Sequence, residues 1–257
     1  RQFIDLREKR QMSFYKRASA FLFDAILLAV LAVGLALILS AVTGYDRRAA
    51  EMEKIYKDAE EKYGVSFDIT EEEYRAMSDE ERARYDEAAA ALNADENTVQ
   101  TYGIVVELTV LILSLSLFFA FMILEFALPL ILGEGRTLGK KIFGICVCRA
   151  DSVRVTPVAL FVRSILGKYT IETMIPVLIA VMIYFRMLGI VGTVVIALIC
   201  LLQVILTAVT KAHTPIHDLI AGTVTADYAT QRIFESTDAL VEYKRQLAAE
   251  EAARSEY

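Results

Sequence analysis

The sequence predicts an all-α integral membrane bundle of about four transmembrane helices, with an extracytoplasmic helical insertion and a small cytoplasmic β-hairpin or sheet. Three observations lead there. The 257 residues are 56% hydrophobic with only four prolines, and the mean hydropathy of +0.44 is too high for a soluble domain of this size. The apolar residues gather in runs of span length rather than in the ten-residue alternation of an outer-membrane barrel. The segments between the runs differ in charge, which orients the bundle.

The first run follows Arg17-Ala18-Ser19-Ala20-Phe21-Leu22-Phe23-Asp24 and continues to Val42. Arg7, Lys9, Arg10, Lys16 and Arg17 precede it as the basic region of a signal peptide would. The run is too long for a signal-peptide core, contains a carboxylate and ends in no A-x-A-like site, so it reads as a retained span. Asp24 lies about two turns inside it. A lone charge there costs at least ~2.5 to 3.5 kcal/mol, so Asp24 is expected to face a protein partner or a water-filled cavity. Arg17, seven residues earlier, shares its helical face at roughly 10 Å along the axis, too far for direct contact.

Four segments follow from the pattern: residues 1–44, the N-terminus and first span; 45–100, an acidic insertion; 101–230, the remaining membrane domain; and 231–257, a terminal helix. The second span is expected from Tyr102 to Leu132, followed by apolar stretches at Ile171–Phe185 and Leu188–Thr210 with only Arg186 charged between them. The shorter stretch is expected to begin earlier, as an interfacial amphipathic helix opened by Thr156 as N-cap and Pro157 at the first helical position. Six Lys or Arg lie up to Arg17, seven between Gly133 and Thr170, and five after Thr210. Residues 45–100 carry eight against seventeen Asp or Glu, a net of −9. The positive-inside rule then places both termini in the cytoplasm and the acidic segment outside, in a bacterial-type plasma membrane.

The acidic segment keeps helical stripes at Met52, Ile55, Tyr56, Ala59 and Tyr63 and at Tyr85, Ala88, Ala89 and Leu92. Thr70-x-x-Glu73 and Ser78-x-x-Glu81 fit the capping box. Two or three helices forming a cap are expected, either a solvated connection or a docking surface for a protein partner. In the cytoplasmic loop, Ile142–Cys148 and Val153–Val155 read as a β-hairpin within residues 142–156, with Thr223–Tyr228 as a third strand. Leu240, Val241 and Leu247 suggest a peripheral or self-associating terminal helix.

Glu107, Ser114, Phe118, Phe121 and Glu125 recur at helical spacing in the second span, the two glutamates about 27 Å apart along the axis. Glu107 reads as a snorkelling side chain. Glu125 is deeper and precedes Pro129, so a buried partner is one of two readings. Thr193, Cys200, Gln203 and Thr207 form a stripe suited to helix packing or to lining a pathway. His213 and His217 have the i, i+4 spacing of a metal pair, but Pro215 would break the helix needed to aim both rings, so no metal site is expected. Cys146, Cys148 and Cys200 make no paired framework and read as reduced thiols. No catalytic, phosphate-loop or nucleic-acid motif is present, which points away from an enzyme, a bound cofactor or a nucleic-acid partner.

With these residues in view, the chain resembles the RDD family of membrane proteins, named for one arginine and two aspartates. The resemblance rests on Arg17 and Asp24, on Thr137-Leu-Gly-Lys-Lys-Ile-Phe-Gly-Ile, on Arg163, and on His217-Asp218-Leu-Ile-Ala-Gly-Thr223. Asp218 matches the second aspartate. The family's short link between its first two spans is enlarged here into the acidic segment. The resemblance implies a compact bundle with cytoplasmic termini; some members look like monovalent cation/proton antiporters, others like oligomerising scaffolds that bind partner proteins. We expect Arg17, Asp24 and Asp218 to form one network in which Arg17 bridges the carboxylates, with His217 and Lys140 or Lys141 nearby. Two functions follow: a homo-oligomeric, partner-binding membrane scaffold, or a transporter titrating Asp24 and routed past Glu125.

Overall fold

The computed structural model describes residues 14–184, 190–209 and 215–255. Its helices are α1 (Phe14–Thr43), α2 (Tyr45–Tyr63), α3 (Glu71–Ala76), α4 (Asp79–Ala94), α5 (Glu96–Leu132), α6 (Leu138–Ile142), α7 (Pro157–Tyr184), α8 (Ile190–Val209), α9 (Ile216–Ala221) and α10 (Thr237–Ser255). The strands are β1 (Ile145–Arg149) and β2 (Thr223–Asp227). Helices α1, α5 and α7 are long and apolar enough to cross a membrane, and α8 is a further apolar helix of 20 residues. Arg186, His213 and the Gln203 and Thr207 side chains lie outside the described residues; Thr193 and Cys200 of the same stripe are exposed.

Two prolines shape the long helices. A proline has no N–H for the carbonyl four residues back, and its ring crowds that carbonyl. In α5 the turn before Pro129 is π-wound over Met122–Ala127, with Leu128 N–H donating to the Ile123 carbonyl five residues back. In α7 the π-wound stretch Val162–Met174 precedes Pro176, and Ile175 N–H donates to the Thr170 carbonyl. The carbonyl that Pro129 would clash with belongs to Glu125, and the one at Pro176 belongs to Glu172. The short apolar stretch begins earlier, as expected, within the single helix α7, opened by the Thr156 cap on the Ala159 N–H and by Pro157.

The chain forms two compact units, whose divisions fall within α1 and α5. Unit two, Gly34–Ser116, contains the acidic segment. Both capping boxes form, at Thr70/Glu73 and at Ser78/Glu81. Met52, Ala59 and Ala88 are buried, and Phe67 lies between Tyr56 and Tyr85 with ring centroids 5.5 Å apart on each side. Tyr74 extends this cluster and donates to Asp86.

Unit one, the chain up to Val33 and from Leu117, holds the small sheet. Strands β1 and β2 pair antiparallel, with Val147 opposite Thr225. The segment expected as a third strand is therefore the main partner of β1, and the expected hairpin shrinks to a single bridge between Cys148 and Arg154. The reason is chain length: Ser152 turns at φ 67°, and the helix cap at Thr156 leaves only Val153–Val155 between turn and helix. Arg154 N–H goes instead to the Phe234 carbonyl. Val153, Phe234 and Leu240 make a buried cluster that seats the start of α10; Val241 is exposed. Cys146 and Cys148 are buried thiols, and burial pushes the Cys146 thiol up to about 12, which keeps it unreactive.

Ser78→Ala removes the oxygen that accepts the Glu81 N–H. Amide exchange in the first turn of α4 should then quicken roughly fivefold, the effect of losing an N-cap, with exchange in β1 unchanged.

Candidate functional site

The buried charges of unit one fall into three neighbouring groups rather than one. The first centres on Asp24. Its Oδ1 accepts the Gly139 N–H at 2.8 Å, and its Oδ2 accepts the Thr137 hydroxyl. Thr137 is also the N-cap of α6, accepting the Lys140 N–H. Of the protein partner and the water-filled cavity expected for Asp24, the contacts in the structure are protein ones, in backbone and hydroxyl donors rather than in a cation. Gly139 permits this approach, because a Cβ there would lie 2.9 Å from the Asp24 carboxyl carbon and closer still to the Ala20 carbonyl.

The second group joins α7, α9 and β2. Arg163 and Asp218 are 2% and 1% exposed, and Arg163 Nε donates to Asp218 Oδ1 at 2.6 Å. Arg163 Nη2 stands 3.3 Å from Oδ2, a two-pronged contact. Thr223 and Thr225 of β2 also donate to Asp218, at 2.6 and 3.2 Å. Against burial, which acts to raise it, the Arg163 guanidinium and these donors hold the Asp218 carboxyl far below the ordinary range. Arg163 Nη2 lies 3.1 Å from His217 Nε2, and His217 Nδ1 lies 2.8 Å from Glu172 Oε2. A guanidinium only donates, so Nε2 must accept and Nδ1 must carry the proton. That tautomer is neutral, and burial followed by the Arg163 charge lowers the His217 pKa below 6.5. Glu172 Oε1 also accepts the His217 backbone N–H at 2.9 Å. Close packing depends on Gly167, where a Cβ would lie 2.6 Å from that of His217.

The third group surrounds Glu125, 7% exposed. Ser164 of α7 donates to the Glu125 backbone carbonyl at 2.6 Å, taking the place of the amide that Pro129 lacks. Lys168 Nζ stands 2.7 Å from Glu125 Oε2, an ion pair by distance whose direction falls outside hydrogen-bond geometry. Lys140 Nζ is 4.0 Å from the same oxygen and, though buried, has no hydrogen-bond partner among the described residues. Asp24 and Glu125 line one narrow crevice with Leu27, Leu124, Leu128 and Leu138.

The sequence-expected residues therefore separate. Arg163, His217 and Asp218 meet directly. Asp24 and Asp218 have different partners, and Arg17 makes no ion pair with either among the described residues. Glu107 and Lys141 are exposed. Sequence reasoning missed Glu172, Lys168, Thr137 and Thr223 as members of the cluster. The signal for Glu172 was Pro176, four residues on, the same spacing as Glu125 and Pro129.

Arg163→Met should cost roughly 3–5 kcal/mol in unfolding experiments, because it strands Asp218 buried, and pairing it with Asp218→Leu should restore much of that loss. His217 is charged more readily in the unfolded chain, so stability should fall as pH drops below 6.5. His217→Gln, which can accept from Arg163 and donate to Glu172, should flatten the melting temperature between about pH 5 and 6.5.

Residues 12–222 match the family model described as the RDD family. No curated protein and no solved structure matches the chain.

Proposed function

This chain belongs to the RDD family of membrane proteins, and from that premise we propose that it works as an oligomeric membrane scaffold that presents its acidic segment and terminal helix to partner proteins. The observation that carries this reading is the use of its buried polar groups. Asp24 is held by Thr137 and Gly139, Asp218 by Arg163 and two threonines, and His217 by Arg163 and Glu172. Each tie joins elements distant in the chain, as a structural clasp does. A transport site needs carboxylates free to exchange their ligand, and the crevice beside Asp24 and Glu125 is narrow and mostly leucine-lined.

In this reading the protein crosses the cell membrane several times with both termini in the cytoplasm, as the loop charges require. The acidic segment, at net −9, faces outward and suits a basic protein surface. The apolar surface of α1, with Phe21, Val30, Leu37 and Val42 all more than 60% exposed, is covered by lipid and by further copies of the chain.

The test is proton, Na⁺ and K⁺ flux in proteoliposomes for the wild type and Asp24→Asn, with size-exclusion elution of both. The scaffold reading expects no flux from the wild type and an altered elution for Asp24→Asn. Wild-type flux that vanishes in an Asp24→Asn protein of unchanged elution would overturn it in favour of cation/proton transport.

A further inference from the structure

Lys140 is the anomaly of the charged cluster. It is 8% exposed, and its Nζ has no hydrogen-bond partner among the described residues. The charges that act on it come from three helices: Asp24 of α1, Glu125 of α5, and Arg163 and Lys168 of α7. Two of the four are cations, and the nearest carboxylate, Glu125, already has Lys168 at 2.7 Å while Lys140 stands off at 4.0 Å. A desolvated ammonium beside two like charges, with its acceptor engaged elsewhere, is disfavoured on physical grounds alone.

We propose that Lys140 is a proton-operated catch: its protonated amine draws the Glu125 carboxylate from Lys168 towards α6, and its neutral amine leaves that carboxylate to Lys168. The hold of α6 on α5 then follows pH. Burial first, then Lys168 and Arg163, push the Lys140 pKa down to about 7, with Glu125 and Asp24 opposing. The catch therefore works in the neutral range, whereas an ordinary lysine stays charged to pH 10 and beyond.

Position gives the catch its reach. Thr137 and Gly139, which hold Asp24, lie within three residues of Lys140. Two residues after α6 the chain enters β1, whose partner β2 supplies Thr223 and Thr225 to Asp218. A shift of α6 towards or away from α5 is thus felt at Asp24 on one side and at the sheet on the other. The inference is independent of whether the protein scaffolds or transports, since it concerns only which cation holds Glu125.

The full chain, reconstituted in nanodiscs with ¹⁵N-lysine and side-chain ¹³C-carboxyl glutamate, can be titrated by NMR from about pH 5.5 to 9.5. One Nζ signal among the ten lysines should titrate near pH 7 and be missing in Lys140→Met. The Glu125 carboxyl signal, identified by its loss in Glu125→Gln, should move at the same midpoint. In Lys140→Arg, whose cation cannot be discharged, it should stay at its low-pH position throughout. Titration of Lys140 above about pH 9, or a Glu125 signal that ignores the Lys140 midpoint, would overturn the proposal. If Lys140→Met does not fold, the wild-type and Lys140→Arg titrations decide.

Discussion

The buried pair of Arg163 and Asp218 is the interaction on which the inner part of this protein depends. Desolvating two charges is costly, and the attraction offsets it only when geometry is good and the remaining lone pairs are met. Here the guanidinium contacts both carboxylate oxygens, and Thr223 and Thr225 supply the further donors. The pair therefore ties three elements at once: α7 through Arg163, α9 through Asp218, and β2 through the threonines. Because β2 pairs with β1, and β1 follows α6, the same contact fixes the segment that grips Asp24. His217 and Glu172 close the far side of Arg163, so the guanidinium faces acceptors in two directions.

A second constraint comes from proline chemistry. Pro129 and Pro176 each displace the carbonyl four residues earlier, and both helices widen to π-winding just before them. The displaced carbonyls belong to Glu125 and Glu172, whose carboxylates pair with the Lys168 ammonium and with the His217 ring. At Glu125 the freed carbonyl is met by Ser164, which couples α5 to α7. Local helix distortion and buried charge are thus placed together, as is common where π-turns carry function. Lys140 is the member of this cluster whose charge is least well met, and its protonation is where the cluster can respond to its surroundings.

Much of this was readable residue by residue. Asp24 had to face a protein partner or water because it sits inside an apolar run, and which of the two was not legible; Thr137 and Gly139 meet it. Thr156-Pro157, Thr70-x-x-Glu73 and Ser78-x-x-Glu81 open helices as their local hydrogen-bond chemistry requires. The β character of Ile145–Cys148 and of Thr223–Asp227 was legible from β-branched and alternating residues, but which segment pairs with which was not. Arg17 illustrates the limit more sharply. Sequence proximity made it the natural bridge to Asp24, yet the arginine that meets a buried aspartate is Arg163, 55 residues from Asp218.

The sequence by itself determined that the chain is a helical membrane protein of the RDD family, where α3, α4 and α7 start, and that a charge such as Asp24 inside an apolar run had to be met. Periodicity, capping and hydropathy are local properties, and local energies decide them. Only the tertiary structure decided which partner each charge takes. An ion pair depends on the distance between side chains on separate elements, and helix winding ahead of a proline, a missing Cβ at Gly139 or Gly167, and the register of a two-stranded sheet set that distance together.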